Sequence, residues 1–196
     1  MSSCLIRFLE DPWSSLKVVV PTVAIEVILH KKVWEKASLR ELTLGLTVVN
    51  VYWFATTSNI SLFETPLLTQ VPTLDDRQKA DNARHRYNWL NKLELIVGVV
   101  GLDLYCEWRK RILDHDGFVD IFLSQAVLAP VAITALQSAY LLPKLTECAK
   151  DKAENKVSAC TTQQNCLPHK VYCGLEAVKV IGTAVAGIRF GRMLTL

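Results

Sequence analysis

The feature that most constrains this chain is the apolar run Phe118–Leu142, whose one charged residue is Asp120 near its start. At 1.5 Å per residue, a helix of this length crosses the ~30 Å hydrocarbon core of a bilayer. A soluble helix of the same length would normally carry a polar face, which this run lacks. The run therefore favours a membrane-spanning helix over a buried central helix of a soluble all-α protein. Its few polar side chains are Ser124, Gln125, Thr134, Gln137 and Ser138.

Two parts of the chain follow the same plan. An apolar run ends at a Pro-x-Leu-Thr motif, beginning at Pro66 in one copy and Pro143 in the other, and a polar loop follows. A second apolar run then begins at a His followed by a base, at His85 and at His169. The repeat predicts two helical hairpins, residues 41–117 and 118–196, with the two proline motifs at the same end of the molecule. The predicted helices are Glu41–Phe63, Arg84–Trp108, Phe118–Leu142 and His169–Leu194.

Residues 1–40 precede the first hairpin and contain a Val- and Ile-rich segment, Leu16–Leu29. Its polar residues recur every four or five positions and form a stripe at helical period. We expect an amphipathic, membrane-associated helix at a steep angle to the other four; the alternative is a helix that spans the bilayer. The predicted fold is thus all-α: an integral membrane four-helix bundle of two repeated hairpins with an N-terminal membrane-associated helix. The polar stripe is Lys17, Thr22, Glu26 and His30.

The second hairpin has a further set of shared features: a bilayer segment that ends at Pro143, a long polar loop, and His169 at the start of a last helix rich in small residues. In these features it resembles the family of small four-helix integral membrane proteins that includes the cisplatin-resistance-associated transmembrane protein. Trp53-Phe54 followed by Pro66 is similar in outline, so the resemblance covers about residues 41–196. It implies a four-helix membrane fold, and it brings no catalytic residues to this chain.

Charge and motifs exclude several classes of function. The net charge is +3, and no window carries as many as about five or six like charges, so nucleic acid is not an expected partner. The sequence contains no glycine-rich phosphate loop, no Ser/His/Asp set and no paired catalytic carboxylates. The acids Glu10 and Asp11 argue against a signal or transit peptide at the N-terminus. We predict no cofactor, although the membrane interpretation is compatible with a bound phospholipid.

Four cysteines lie in or just after the polar loop 144–168, and three hypotheses apply to them. One or two disulfides would hold the loop if its side of the membrane is oxidising. A zinc site with His169 is chemically possible, but the spacing matches no compact zinc motif. Unpaired thiols are the third alternative. These cysteines are Cys148, Cys160, Cys166 and Cys173.

Four ionisable residues lie within the apolar runs, where charge is costly and often functional. Glu176 and Lys179 are one helical turn apart and can pair, whereas Glu94 is expected to reach the membrane interface. A proton or substrate pathway is the alternative to structural pairing. A histidine pair, His85 and His169, could in principle hold haem or a metal between the hairpins. The four intramembrane polar residues are Glu94, Asp103, Glu176 and Lys179, and the predicted helix-packing glycines are Gly98, Gly101, Gly182 and Gly187.

These features together predict a structural accessory subunit of a larger membrane complex, for example of the respiratory chain or ATP synthase. The predicted partners are other membrane subunits and anionic lipids, and the predicted location is the mitochondrial inner membrane. Composition does not separate that membrane from the endoplasmic reticulum or plasma membrane. One alternative is a stand-alone transporter or lipid-handling protein, and another is a membrane oxidoreductase that uses cysteines or histidines.

Overall fold

The computed structural model describes residues 8, 11, 14–153 and 167–195, and every regular element in this part of the chain is helical. The prediction of an all-α fold is therefore confirmed. We number five helices, of which two contain a π-helical segment. They are α1 (Ser14–Lys32), α2 (Leu39–Ser58, π-helical Asn59–Glu64 and Thr65–Thr69), α3 (Asp76–Asp114), α4 (Ile121–Leu136, π-helical Gln137–Leu141 and Leu142–Ala153) and α5 (Leu167–Met193).

Two capping boxes fix where α2 and α3 begin. Ser38 accepts a hydrogen bond from the backbone N–H of Glu41, whose carboxylate accepts one from the backbone N–H of Ser38. Asp75 and Gln78 exchange the same pair of bonds at the start of α3. The predicted start at Arg84 was therefore wrong by about two turns, because Asp75 caps the helix within the segment that we expected to be a loop.

A tight turn joins α3 to α4. The N–H of Gly117 donates to the carbonyl of Ile112, and the N–H of Asp116 donates to that of Leu113. This is the Schellman arrangement, which requires a left-handed residue just past the helix. Asp116 takes that role with φ of 56°. A Cβ on Gly117 would lie 2.8 Å from the Ile112 carbonyl oxygen, so this position requires glycine.

The two π-helical segments occupy equivalent places in the repeated plan. Each ends two residues before a proline, Pro66 in α2 and Pro143 in α4. Proline has no backbone N–H to donate, and its ring clashes with the carbonyl four residues earlier; a wider turn relieves that clash. Helix then continues past each proline. The predicted loops were consequently too long, since 65–69, 76–84 and 144–153 are helical, whereas residues 154–166 lie outside the described part.

Aromatic contacts bring the proline ends of the two hairpins together. The rings of Tyr87 and Tyr172 meet edge to face with centroids 5.1 Å apart, and each follows its hairpin's histidine by two or three residues. Tyr172 also packs with Leu142, next to Pro143, and the Tyr87 hydroxyl interacts with Thr65, next to Pro66. Superposition of one hairpin on the other stays a prediction.

Helices α2 and α4 each pack against both α3 and α5, and α1 packs against α3. The four predicted packing glycines lie at these contacts. A Cβ on Gly98 or Gly101 would come within 3.3 Å and 3.2 Å of Trp53 and Val49 of α2, respectively. On α5, a Cβ would lie 3.0 Å from Pro130 of α4 at Gly182 and 3.1 Å from Val51 of α2 at Gly187. The absence of side chains here allows the helix backbones to approach closely.

Contrary to our expectation, helix α1 does not cross the other helices at a steep angle. At one end, the hydroxyl of Ser15 lies 2.8 Å from that of Ser138, which belongs to the π-helical segment of α4. At the other end, His30 bonds Asp103 of α3 at 2.9 Å, and Arg111 of α3 reaches the Trp34 carbonyl just beyond α1. Between these ends, Val23 of α1 and Val99 of α3 line the same cavity, so α1 lies lengthwise along α3. Of its polar stripe, Glu26 and His30 face the other helices and Lys17 is exposed.

Two helical stretches, Ile121–Cys148 and Pro168–Met193, are long and apolar enough to cross a membrane. These belong to two of the four helices predicted to span, and within the described residues α2 and α3 do not meet the same criterion of length and composition. The central helices of a soluble protein could pass this test as well. The positions of the polar residues within the helices therefore carry more weight than the number of helices that are long and apolar enough to span.

Candidate functional site

The candidate site is built around the ammonium group of Lys179, which is fully buried where α2, α3, α4 and α5 meet. Its nitrogen lies 2.6 Å from Oε2 of Glu94 and 2.8 Å from Oε1 of Glu176. It also donates to Oε1 of Gln137 at 2.8 Å. A lysine ammonium has three N–H donors, so these contacts use its full capacity.

Glu94 lies at the α2–α3 contact, and its exposed fraction is 1%. Its Oε1 accepts hydrogen bonds from the indole N–H of Trp53 at 3.1 Å and from the hydroxyl of Thr57 at 2.7 Å. The expectation that Glu94 reaches the membrane interface was therefore wrong. Because α3 begins at Asp76, Glu94 lies about five turns inside the helix instead of near its start.

Glu176 completes the site from α5, one turn before Lys179, as the sequence spacing predicted. Its Oε1 also accepts from the amide of Gln137 at 3.0 Å, and its Oε2 accepts from the hydroxyl of Ser61 at 3.0 Å. Gln137 and Ser61 both belong to the π-helical segments. We call the seven residues joined by these bonds the central network: Trp53, Thr57, Ser61, Glu94, Gln137, Glu176 and Lys179.

The central network contains two carboxylates and one ammonium, so it carries a net negative charge when all three groups are ionised. Burial of charge is expensive, and removal of one partner from a buried pair is more expensive still. Here the charges are compensated by hydrogen bonds from four different helices. The arrangement can therefore fix the relative positions of α2, α3, α4 and α5, and it can also hold a proton.

Three further polar atoms lie buried beside the network without a hydrogen-bond partner among the described residues. They are the hydroxyls of Thr134 and Tyr172 and the side-chain oxygen of Asn91. The Asn91 amide donates to the Thr134 carbonyl at 3.3 Å, which links α3 to α4 one turn away from Glu94 and Gln137. The Tyr172 ring lies close enough to Glu176 for the two groups to interact electrostatically.

Asp103, the fourth predicted intramembrane residue, is not part of this site. It bonds His30 of α1 at the opposite half of the molecule. Nearby, Glu107 accepts from Arg111 at 2.8 Å, and Arg111 also donates to backbone carbonyls between α1 and α2. Trp34 donates to Glu26 at 2.7 Å in the same region. We call this second group the end network: Glu26, His30, Trp34, Asp103, Glu107 and Arg111.

The cysteines and histidines form no comparable centre in the described structure. Cys148 is disulfide-bonded, Cys173 has a free thiol, and Cys160 and Cys166 lie outside the described residues. The Sγ of Cys173 lies 3.6 Å from Nε2 of His169. His85 lies beside Asp81 at 3.8 Å. Among the described residues, no group of three or more His, Cys, Asp or Glu side chains could hold a metal ion.

Sequence analysis missed the neutral members of the central network as site residues. Trp53, Thr57 and Ser61 are spaced four residues apart and therefore share one face of α2. That spacing was a usable indication, since a polar row within an apolar helix must face other helices. Gln137 gave no comparable indication, because a single amide in α4 does not show which residue it contacts.

Comparison of the chain with protein-family models, with curated proteins and with solved structures finds no match. The resemblance of the second hairpin to a four-helix membrane family accordingly stays a prediction. Function must follow from the geometry of the chain itself.

Proposed function

We propose that this chain is an integral membrane protein and a structural accessory subunit of a larger membrane complex. In this proposal, α2–α5 form a four-helix bundle of two repeated hairpins, and α1 lies along its side. The observation that carries the proposal is the distribution of polarity: a network of charged and amide side chains lies inside the bundle, and many large apolar side chains lie on its outer surface.

The interior half of this distribution is the central network, in which Lys179 and Gln137 are fully buried and Glu94 is 1% exposed. The exterior half lies mainly on four of the five helices. Large aliphatic and aromatic side chains point outward from α1, α2, α4 and α5, and such a surface is unfavourable in water. Hydrocarbon or other apolar helices would cover it. Examples are Val20 and Ile25 of α1, Val48 and Leu62 of α2, Ile121 and Leu136 of α4, and Ile181 and Ile188 of α5, all of them exposed.

One outer surface is well suited to a partner helix. On α5, Ile181 and Ile188 are each 63% exposed, two turns apart on one side of the helix. Gly174 lies two turns before Ile181 on the same side, and a Cβ there would meet nothing within 4 Å. A small residue beside branched apolar side chains allows a neighbouring helix to approach closely. This surface supports assembly with other membrane subunits.

The end of the molecule that carries the α3–α4 turn is suited to anionic headgroups. Exposed bases there outnumber the exposed acids Glu35, Glu41, Asp114 and Asp116, and anionic lipids attract an excess of bases by roughly 1 kcal/mol for each base near the surface. This supports a membrane rich in anionic phospholipid, for which we propose the mitochondrial inner membrane, with bound phospholipid at this end. The exposed bases are Lys31, Lys32, Lys36, Arg40, Arg109, Lys110 and Arg192.

The proposal is tested by native electrophoresis of gently solubilised membranes that contain the full-length chain. We expect co-migration with a much larger complex, and substitution Ile181→Trp should release the chain from it. Val48→Trp is the matched control, because it places the same bulk on an exposed position of α2. Migration of the unaltered chain as a monomer or small oligomer would contradict the accessory role. Extraction of the chain by alkaline carbonate would contradict membrane integration.

A small transporter is the second candidate, and the excess carboxylate of the central network favours it. Buried ionisable groups in membrane proteins often mark proton or ion pathways. Reconstitution of the purified chain into vesicles, with a pH-sensitive dye inside, would distinguish this candidate from the first. The expectation under the accessory-subunit proposal is no proton flux above that of empty vesicles.

A further inference from the structure

We propose that a groove between α2 and α3, at the proline end of the first hairpin, binds phosphatidylethanolamine. The ion pair of Glu64 and Arg86 binds the headgroup, and the apolar part of the groove binds an acyl chain. This site lies at the opposite end of the molecule from the exposed bases that we assign to anionic lipid. The inference rests on the proposed membrane integration, but it requires no other subunit.

The groove has a volume of about 520 Å³, with charged residues at one end and an apolar wall beyond them. Glu64 and Arg86 lie at the charged end, and Tyr52 lies at the other. At 1.5 Å per residue, the twelve positions from Tyr52 to Glu64 span about 18 Å, just over half of the ~30 Å hydrocarbon core. The groove therefore has the length of one leaflet. Its other lining residues are Ala55, Thr56, Asn59, Ile60 and Trp89.

The ion pair at the charged end has further capacity for hydrogen bonds. Nη1 of Arg86 donates to Oε2 of Glu64 at 2.8 Å, and the amide of Asn59 donates to Oε1 at 3.0 Å. A guanidinium has five N–H donors and a carboxylate has about four acceptor positions, so these bonds leave both groups able to bind a ligand. The two side chains are 37% and 44% exposed, so a headgroup can reach both of them.

Phosphatidylethanolamine matches this pair in charge and in hydrogen bonding. Its phosphate is an anion of the kind that a guanidinium binds through two parallel N–H bonds. Its primary ammonium has three N–H donors, as that of lysine does, and the carboxylate of Glu64 can accept from it. The trimethylammonium of phosphatidylcholine has no N–H, and phosphatidylglycerol has no cation. Arg86 therefore attracts any phospholipid, whereas Glu64 selects the ethanolamine headgroup.

The aromatic wall of the groove is an independent observation that indicates an apolar ligand. Trp89 and Tyr52 are 52% and 50% exposed. Rings exposed to this extent are unfavourable in water, and an acyl chain in the groove would cover both of them. Trp89 lies one turn from Arg86 on α3, and tryptophan is enriched where headgroups meet hydrocarbon. The hydroxyl of Thr56 donates to the Tyr52 carbonyl within α2, so it adds no polar site to the wall.

The second hairpin provides an internal comparison. Leu141 comes two residues before Pro143, as Glu64 comes before Pro66, and Lys170 follows its histidine as Arg86 does. Leu141 is buried and apolar, so the second copy has no carboxylate at this position. Lys170 is an exposed base at the same end of the molecule. Lys170→Gln is therefore the matched control for Arg86→Gln.

The test is native mass spectrometry of the purified full-length chain in detergent, titrated with dioleoyl forms of phosphatidylethanolamine, phosphatidylcholine and phosphatidylglycerol. We expect phosphatidylethanolamine to bind about tenfold more tightly than phosphatidylcholine, as a charge-assisted hydrogen bond to Glu64 would give. Glu64→Gln should remove this preference. Arg86→Gln should weaken binding of all three lipids, and Lys170→Gln should leave it unchanged.

Three results would overturn the proposal: equal affinities for the ethanolamine and choline lipids, tightest binding of phosphatidylglycerol, or a preference that survives Glu64→Gln. An equal loss in Arg86→Gln and Lys170→Gln would also count against it, because that result indicates attraction without a site. If a charge variant fails to fold, Ala55→Trp decides, since it fills the groove beside the ion pair. It should abolish the adduct, whereas Leu44→Trp, at an exposed position of α2 outside the groove, should keep it.

A negative result leaves the accessory-subunit proposal standing, because native electrophoresis and carbonate extraction do not depend on this lipid. Conversely, a chain that migrates alone on native gels could still bind phosphatidylethanolamine in the groove.

Discussion

The central and end networks use the same local chemistry in two different surroundings. Each contains a glutamate and a base one turn apart on one helix: Glu176 and Lys179 on α5, and Glu107 and Arg111 on α3, both pairs 2.8 Å apart. In the central pair the lysine and glutamate side chains are 0% and 4% exposed. In the end pair the glutamate is buried to a similar degree, at 5%, but the arginine is 23% exposed, so water reaches its guanidinium group.

The remaining donors of the two bases show what this difference means. Lys179 reaches side chains of α3 and α4, so it ties separate helices together. Arg111 instead reaches the carbonyls of Trp34, Glu35 and Ala37 in the connector after α1. Helix ends leave such carbonyls without partners, and water can replace Arg111 there. The same ion pair thus determines the packing of the core in one place and fastens a connector in the other.

The strongest test of this comparison is removal of the central ammonium. Lys179→Met leaves Glu94 and Glu176 facing each other without a cation, and breaking a buried pair this way costs about 3–5 kcal/mol. We expect a large loss of thermal stability for the purified chain in detergent. The triple variant Glu94→Gln, Glu176→Gln, Lys179→Met removes all three charges and should recover much of the loss. If Lys179→Met were as stable as the unaltered chain, the central network would not be what holds the four helices together.

The close backbone contact beside Lys179 supplies the second test. A Cβ at Gly182 would lie 3.0 Å from Pro130 and 3.2 Å from the Ala126 carbonyl oxygen, so α5 must move away from α4. Overpacking of this kind costs about 1–3 kcal/mol, partly offset by the better helix propensity of alanine. We expect Gly182→Ala to lower the unfolding temperature. At Gly174 on the same helix an added Cβ would have no atom within 4 Å, so Gly174→Ala should raise the unfolding temperature slightly. A higher unfolding temperature for Gly182→Ala than for Gly174→Ala would contradict the close contact between α4 and α5.

The end network should tolerate loss of its base better. Arg111→Ala removes charge-assisted bonds to Glu107 and to three carbonyls. Water can solvate the carbonyls, and Lys110 remains 3.9 Å from the buried Glu107 carboxylate, so we expect a cost of about 1–3 kcal/mol. The loss of stability is measured by thermal unfolding and compared with that of Lys179→Met under the same conditions. Arg111→Lys, the conservative control, keeps the charge but loses the planar fork and should lie between Ala and the unaltered chain. A cost equal to that of Lys179→Met would erase the distinction between the two regions.

The sequence predicted the helical class and the charged members of the central network better than it predicted their partners. Glu176 and Lys179 could be paired from their spacing alone, because helical neighbours three residues apart share a face. Glu94 was recognised as costly in an apolar run, but its depth was misjudged. The reason is local: the Asp75–Gln78 capping box starts α3 early and moves Glu94 inward.

Contacts between distant parts of the chain could not be predicted in the same way. That Glu94 meets Lys179 depends on how α3 and α5 pack, which neither segment states by itself. The position of α1 shows the same limit. Its polar stripe indicated that one side faces polar groups, but it did not show that Glu26 and His30 would bond Trp34 and Asp103 of the same chain.

The smallest expected effect concerns the ion pair between Asp120 and Arg189, at the end of the molecule that carries the α3–α4 turn. The backbone N–H of Phe122 donates to the Asp120 carboxylate at the start of α4, and this bond, together with Arg189, holds the pKa of Asp120 below its usual value. Because the folded pKa is lowered, the stabilisation is present above the ordinary pKa of aspartate and disappears as the pH falls through the lowered value. Asp120→Asn should therefore reduce stability slightly at neutral pH and converge with the unaltered chain in acid. The measurement is the unfolding temperature of both proteins as a function of pH. A difference that grew with acidification would show that the amide, and not the missing charge, is responsible.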